Sequence, residues 1–267
     1  MISIEELTVK DLPYLEELTP EGWTDIIEPH TFFINSSFCQ PLKFLMNGQI
    51  IGLGTIIFHK STAWLAQIIV REENRNEGLG TYITQTLIDL INKNKYKTIS
   101  LIATQLGEPV YKKLGFKTQV NYLSFNKKNS EKFVIENLNF VVNHLEFDNA
   151  ILKMDKVNSG ENRAALLKPH LSGAIVFINN STLLGFYLPT LFNGLIVATE
   201  KESGLTLIKI RLNVFNAAML PENNFSAIEF LKNEGLTKTM SLPRMYLGNK
   251  INFKPEQLFN RISGALG

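Results

Sequence analysis

A single cysteine, Cys39, in 267 residues leaves no partner for an internal disulfide, and such sparing use of cysteine is the habit of proteins in reducing compartments. Charge of one sign is missing too. The 27 Lys and Arg residues stand against 25 Asp and Glu, a formal net charge of +2, with no basic stripe to follow a nucleic-acid backbone and no polybasic run beside an apolar anchor. No run reaches about 18 consecutive apolar residues, so the sequence offers no membrane-spanning helix. The opening MISIEELTVKDLPYLEEL is acidic and lacks the basic start and long apolar block of a secretory signal. Histidines, cysteine and carboxylates nowhere cluster at metal-ligand spacing, and His144 and His170 are isolated, so no metal is expected. The expectation is a cytoplasmic protein with neither nucleic acid nor membrane as partner.

What is present is the material of globular cores: 45% of residues are hydrophobic and 19% charged. The length suits two domains of ordinary size. ISIEELT reads as a strand and KDLPYLEEL as a short helix, with Leu12, Leu15 and Leu18 on one side. PEGWTDIIEPHTFFINSSF, punctuated by Pro20, Gly22 and Pro29, reads as a loop with short helical turns. In PLKFLMNGQIIGLGTIIFHKSTAWLAQIIV, three apolar β-branched runs are parted by Asn47-Gly48 and Lys60-Ser61, which predicts an antiparallel meander.

From Gly78 the period changes. Leu79, Ile83, Leu87, Leu90 and Ile91 recur at three- and four-residue steps and form the apolar stripe of a helix. TISLIAT then reads as a buried strand, EPVYKKL as a short helix stopped by Gly115, and FKTQVNYLSF as a further strand. The polar stretch NKKNSEK, Asn126 to Lys132, marks a boundary, giving domains over 1–127 and 128–267. Beyond it the pattern partly returns: an AALLKPHL helix, a hairpin near Asn179-Asn180, then GLIVATE, LTLIKIRLN and PENNFSAIEFLKNEGLTKT. This last passage echoes EPVYKKLGFKTQ and suggests a degenerate internal duplication.

One pattern carries chemistry. VREENRNEGLG places Arg75, Gly78 and Gly80 as R-x-x-G-x-G between strand and helix. The pattern serves either as a turn that needs two glycines or as a phosphate cradle. Glycines let a backbone approach a ligand, the first amides of the helix point at anions with the helix dipole behind them, and an arginine adds a charge-assisted contact. The P-loop signature and the three-glycine dinucleotide fingerprint are both absent.

Together with LIATQLGEPVYKKLGF downstream, where Ala103, Gly107, Pro109, Tyr111, Leu114, Gly115 and Phe116 stand, this stretch resembles the GNAT family of acyl-CoA-dependent N-acetyltransferases over roughly the first 125 residues. PEGW, the two-domain length and the closing LPRMYLG resemble a subgroup with a second GNAT-like domain. The resemblance implies an α/β (α+β) GNAT fold, a mixed, mostly antiparallel central sheet flanked by helices, followed by a second, degenerate GNAT-like domain. It further implies acetyl-CoA as cosubstrate, no metal, and a small-molecule or peptide amine as acceptor.

Residue by residue, the resemblance puts Ile68, Ile69 and Val70 on the strand beside the pantetheine arm. Arg75, Asn76, Glu77, Gly78, Leu79, Gly80 and Thr81 become the pyrophosphate loop, and Thr104 ends the neighbouring strand near the entry split. Tyr111 becomes the acid that protonates the departing thiolate, its alternative being a plain core aromatic. Trp23, Asp25, Glu28 and His30 fall where the acceptor side commonly lies; there acids would suit a cationic amine, the alternative being a core tryptophan with solvated acids. An amine with a pKa near 10.4 is about one part in a thousand neutral at pH 7, so attack on a thioester needs a base or a water chain. The position near Trp64, where some relatives carry a glutamate, is not acidic, and Gln67 cannot be a base; Glu72, Glu73 and His59 read as solvated or surface residues, which leaves water-relayed deprotonation. Cys39 lies outside the motifs, so transfer is expected to be direct, in a ternary complex. The alternative is a non-enzymatic acyl-CoA-binding sensor or interaction module. The second half has no R-x-x-G-x-G, only TEKESGLTL, and is expected not to bind coenzyme A.

Overall fold

The computed structural model of the chain describes residues 1–23, 25–127, 132–135, 139–143 and 145–266, so His144 and residues 128–131 of the polar stretch lie outside the described residues. Two compact units result. The first comprises Met1–Lys117, Met245–Asn249 and Leu266; the second comprises Thr118–Arg244 and Lys250–Ala265.

In the first unit the elements are β1 (Ile2–Glu6), α1 (Ile27–Ile34), β2 (Cys39–Met46), β3 (Gln49–Phe58), β4 (Thr62–Val70), α2 (Leu79–Leu90), β5 (Thr98–Ile102) and α3 (Glu108–Lys113). The strands lie in the order β1-β2-β3-β4-β5. β1 to β4 pair antiparallel, whereas β4 and β5 run parallel. Asn47 and Gly48, both left-handed at φ 52° and 79°, close the β2–β3 hairpin, as an Asn-Gly pair does in a two-residue turn. KDLPYLEEL forms two 3₁₀ turns, Val9–Tyr14 and Glu16–Leu18, instead of one helix; Pro13, without an N–H, favours the tighter turns. Where the sequence suggested only a loop with short turns, α1 is a regular helix. Asp25 explains it: Oδ1 accepts the Ile27 amide at 2.7 Å and Oδ2 the Glu28 amide at 3.1 Å, satisfying orphan donors of the first turn.

The sheet buries both faces. On one side Leu7, Leu15, Leu18 and Ile26 pack with Leu53 and Ile69. On the other, the α2 stripe of Leu79, Ile83, Leu87 and Ile88 packs with Phe44, Ile56 and Leu65. α2 sits close on β3 because Gly52 and Gly54 lack side chains: a Cβ on Gly54 would lie 2.7 Å from Leu87 Cδ1, and one on Gly52 would meet Ile83. This contact sets the direction in which the N-terminus of α2 points.

The second unit holds β6 (Lys117–Asn126), β7 (Phe140–Val142), α4 (Asp148–Ser159), α5 (Ala164–Leu167), β8 (Ile175–Asn179), β9 (Thr182–Leu188), β10 (Leu195–Ala198), α6 (Lys201–Leu212), β11 (Ala217–Pro221), α7 (Phe225–Asn233), β12 (Thr237–Gly248) and β13 (Leu258–Asn260). The last residues of β12 belong to the first unit. Five strands form a sheet in the order β13-β10-β9-β8-β7, and β12, β6 and β11 are neighbours in another. From β8 to β12 the elements repeat the order seen from β2 to β6: three antiparallel strands, helix, strand, helix, strand. The core gathers α6 and α7 residues such as Leu207, Ile208 and Leu231 with Phe125, Tyr187, Ile196 and Phe259.

Candidate functional site

The site begins at an irregularity in β4. Ala66 pairs with Thr55 and Ile69 with Leu53, so Gln67 and Ile68 together face Gly54. This is a β-bulge, and Gln67 takes a left-handed φ of 49° to make it. β4 and β5 are in register only at Thr62–Trp64 against Thr98–Ser100, before the bulge. Beyond Trp64 and Ser100, β4 runs on through the bulge to Val70 and β5 to Ile102 without further pairing, so the two parallel strands splay. A splayed strand keeps backbone N–H and C=O groups that no neighbour satisfies, which is how a strand edge takes up an amide-bearing ligand. Ile69 is buried on the α1 side, while Ile68 and Val70 are half-buried on the α2 side. Gln67 Oε1 is buried at the bulge without a hydrogen-bond partner. Its only trace in the sequence is one polar residue interrupting an apolar run.

β4 leads straight into the glycine loop. Arg71 fixes its start, donating from Nε to Ile50 O at 2.8 Å and pairing with Glu17 at 3.2 Å. One 3₁₀ turn of Glu72–Asn74 follows, with Glu72 and Glu73 exposed. Arg75 Nε donates to Val70 O at 3.3 Å, folding the loop back on the end of β4. Asn76 and Gly78, left-handed at φ 66° and 84°, turn the chain into α2. The first helical amide returned to the chain is that of Tyr82, which donates to Gly78 O at 3.0 Å. Leu79, Gly80 and Thr81 therefore present amides that no helix carbonyl can reach, at the positive end of a twelve-residue helix. Glu77 is exposed beside them.

The two glycines differ in kind. Gly78 is needed for its backbone conformation, and open space surrounds the place of its missing Cβ. Gly80 has an ordinary helical backbone, and a Cβ there would make ordinary contact, 3.8 Å from Val70 Cγ2. Neither backbone conformation nor packing requires glycine at 80.

α3 brings Tyr111 into the same core cluster as Leu79, Ile83 and Ala103. Its ring lies against Gly107, where a Cβ would stand 2.8 Å from Cε2, and edge-on to Phe116 at 5.9 Å. Burial, with 8% of the residue exposed, pushes its hydroxyl up from 10.0 to about 12, so it stays protonated at neutral pH. Thr104 lies exposed after β5; its Oγ1 accepts the Gly107 amide at 3.2 Å and its carbonyl the Glu108 amide at 2.9 Å, which starts α3.

Trp23, 38% exposed, precedes α1, and Asp25 and Glu28 sit exposed at its N-terminal end. Both Asp25 oxygens are engaged by amides, which lower its pKa. α1 packs chiefly on β2 and on the Val9–Tyr14 turn, with Ile34 in the same core cluster as Ile69 of β4, so the structure unites the β4 residues with the glycine loop, and Leu79 with Tyr111, while Trp23, Asp25 and Glu28 lie exposed at the N-terminal end of α1. His30 is buried, its Nδ1 2.6 Å from Ile26 O, and desolvation lowers its pKa. His59, which the sequence placed at the surface, is buried. Burial pushes the Cys39 thiol up from 9.0 to about 12, a poor nucleophile at neutral pH.

The sequence profile of the acetyltransferase (GNAT) domain matches residues 13–129. No curated protein matches the sequence. Among solved structures, the chain superposes on a candidate acetyltransferase from Pyrococcus horikoshii with a TM-score of 0.84 at 21% identity, covering 100% of this chain and 96% of that one. A GCN5-related N-acetyltransferase from Sphaerobacter thermophilus gives 0.64 at 10% identity, over 95% and 98% of the two chains. A tandem GNAT protein from the clavulanic acid biosynthesis pathway gives 0.63 at 9% identity, over 93% and 98%. At these identities the likeness is one of fold, and it extends over both units. Residues 13–129 are thus a GNAT acetyltransferase domain, in a chain that has the two-domain fold of tandem GNAT proteins.

Proposed function

We propose that the protein transfers an acyl group, acetyl in the first instance, from coenzyme A to a primary amine by direct attack, with the chemistry in the first unit. The observation that carries this reading is Gly80. It is a glycine that its helix does not need, beside the end of the splayed strand and among three amides with no partner. A missing side chain at such a place fits a ligand phosphate that meets the backbone itself. The pyrophosphate would lie on the amides of Gly78 to Thr81, with Arg75 and Asn76 at its flank, and the pantetheine arm along Ile68, Ile69 and Val70. The orphan Gln67 Oε1 fits an acceptor for an amide N–H at the bend.

The cosubstrate would supply the acyl group as a thioester. A β4 amide donates to the acyl oxygen as negative charge gathers there. Tyr111 holds its proton firmly, because burial pushes its hydroxyl up to about 12. Its part is therefore to donate a hydrogen bond to the sulfur as charge develops. The amine proton leaves through water, since Trp64 is wholly buried and Glu72 and Glu73, which follow β4, face solvent. Thr104 holds the turn into α3 and, exposed at the end of β5, is the cofactor-side candidate at the entry split. Trp23, Asp25 and Glu28 are the acceptor-side candidates.

The test is to follow free thiol release from acetyl-CoA across a panel of small-molecule and peptide amines, alongside thermal stabilisation by acetyl-CoA, ATP and NAD. Stabilisation by acetyl-CoA with amine-dependent thiol release is expected. Stabilisation without turnover on a broad panel would replace the enzyme by an acyl-CoA sensor, and stabilisation by ATP or NAD alone would end the reading.

A further inference from the structure

The second unit contains a cavity of about 350 Å³ at the C-terminal end of α6, lined among others by Arg211, Phe215, Met219, Asn260 and Arg261. No carboxylate lines it. Arg211 is 4% exposed and Arg261 6% exposed, and a buried guanidinium ordinarily has an acid beside it. The same unit obeys that rule twice: Arg163 pairs with Asp155 at 2.5 Å and Arg244 with Glu161 at 3.3 Å. Arg211 and Arg261 have no ion pair among the described residues. Arg211 is held by backbone, donating from Nε to Asn193 O at 2.7 Å and from Nη1 to Ala217 O, with its plane over Phe215. Arg261 is less satisfied. Its Nε and Nη1 are buried and have no acceptor, and the group rests 5.5 Å from the centre of the Tyr122 ring.

The position of Arg261 is nonetheless well determined. Asn260 Nδ2 donates to Asn193 O, Gly194 O and Arg261 O at 3.1, 2.6 and 3.0 Å, its Oδ1 accepts the Met219 amide, and the Arg261 amide donates to Met219 O at 2.9 Å. The fold thus spends a buried asparagine on presenting a cation that nothing in the chain neutralises. Both guanidinium groups remain charged at neutral pH, because burial lowers them only to about 10. An uncompensated buried charge is costly, and a counter-anion in the cavity removes that cost.

We propose that this cavity binds a small dianion, a phosphate monoester or a dicarboxylate, with its charged head between Arg211 and Arg261. Arg211 and Arg261, with Lys127 also on the lining and no acid among them, call for at least two negative charges, and planar guanidinium groups suit either oxyanion. The volume lies at the small end of ligand sites, and Phe215 and Met219 offer apolar surface to the body of the ligand. The site is separate from the corner where β10 enters α6, the counterpart of the glycine loop, because Arg211 belongs to the last turn of α6 and Lys201 to the first.

Titration of the full chain with phenyl phosphate and with succinate, at ionic strength fixed by chloride, tests this by calorimetry and thermal shift; benzoate serves as the monoanion. Saturable binding of at least one dianion, at least tenfold tighter than benzoate, is expected, and the tighter of the two identifies the class. Arg261→Met should abolish that binding, leave acetyl-CoA stabilisation as it is, and raise the melting temperature of the ligand-free protein. Arg261→Lys should bind at least tenfold more weakly than wild type. No saturable response of the wild type to either dianion, or a lower melting temperature for ligand-free Arg261→Met, would overturn the proposal. So would binding that survives Arg261→Met but is displaced by coenzyme A, since it would belong to the α2 corner.

Discussion

Gly80→Ala separates a coenzyme cradle from a plain turn, because the two readings give the same change opposite consequences. Residue 80 is the second residue of α2, with helical backbone, and the added methyl would lie 3.8 Å from Val70 Cγ2, an ordinary contact. Alanine in place of a helical glycine is worth roughly 0.5–1 kcal/mol in stability, a rise in melting temperature of about 2–5 °C for units of this size. The same methyl would stand between the amides of Leu79 to Thr81 and an approaching pyrophosphate. Each charge-assisted hydrogen bond is worth about 1.5–3 kcal/mol, so weakening one of them loosens acetyl-CoA roughly tenfold to a hundredfold. The expected variant is therefore more stable and binds worse. Gly78→Ala provides the contrast: it meets nothing within 4 Å but puts a side chain at left-handed φ, which costs about 1–2 kcal/mol. Thermal melts and calorimetric titration with acetyl-CoA read both quantities. A stabilised Gly80→Ala protein that binds acetyl-CoA as tightly as wild type would refute the close-approach argument and leave the loop a turn.

Tyr111→Phe keeps the ring contacts with Gly107 and Phe116 and removes only the hydroxyl, so acetyl-CoA affinity should stay as it is while kcat falls about tenfold or more; an equal loss of affinity would point to a packing role. Asp25→Asn keeps an acceptor for the Ile27 amide and deletes the charge, so helix stability should hold while KM for a cationic amine rises; an unchanged KM across cationic and neutral amines would remove Asp25 from the acceptor side. Burial raises Cys39 and Tyr111 to about 12 from 9.0 and 10.0. The unfolded chain gives up these protons first, so their contribution is fully present below about pH 9 and is lost as pH climbs towards 12. Denaturant midpoints measured over that range should fall, and the fall should be shallower in Cys39→Ala than in wild type.

The legibility of the fold varied with how far local pattern and tertiary context agreed. α2 was readable because Leu79, Ile83, Leu87 and Ile91 fall at helical spacing and are buried, although Leu90, read on the same stripe, turns to solvent at the end of the helix. α4 was not: its buried face contains Ile151 but also Asp155, Asn158 and Ser159, so the stripe that marks a helix is polar, and it exists because Arg163 neutralises Asp155. LTLIKIRLN, within α6, alternates apolar and polar residues much as a strand does, and buries most of its length as a helix enclosed by its sheet. At the site, Gly78 and Gly80 stood out as a spacing, but the spacing alone could not say which glycine the backbone needed. The bulge was invisible, since its cause is a register shift opposite Gly54 and a left-handed Gln67, a residue type that rarely takes that conformation. Arg261 was likewise hidden, because a buried charge is recognised by what surrounds it.

In the second unit the corner that corresponds to the glycine loop keeps the strand-to-helix order with different residues. β10 feeds α6 as β4 feeds α2, and TEKESGLTL even retains a glycine. That glycine is a different one. Gly204 lies one turn inside α6 rather than at its entry, and a Cβ on it would run into the Phe259 ring of β13. Glu200 at the N-cap is extended, with no left-handed residue and no arginine ahead of it, so the chain enters the helix without a loop to fold over a phosphate. A negative residue stands where an anion would have to lie. β13 pairs with β10 beside this corner, and Phe259 fills against Gly204 the space that its absent side chain leaves. The strand that packs this glycine shut also places Asn260 and Arg261, so one element fills the corner at the start of α6 and lines the cavity at its end.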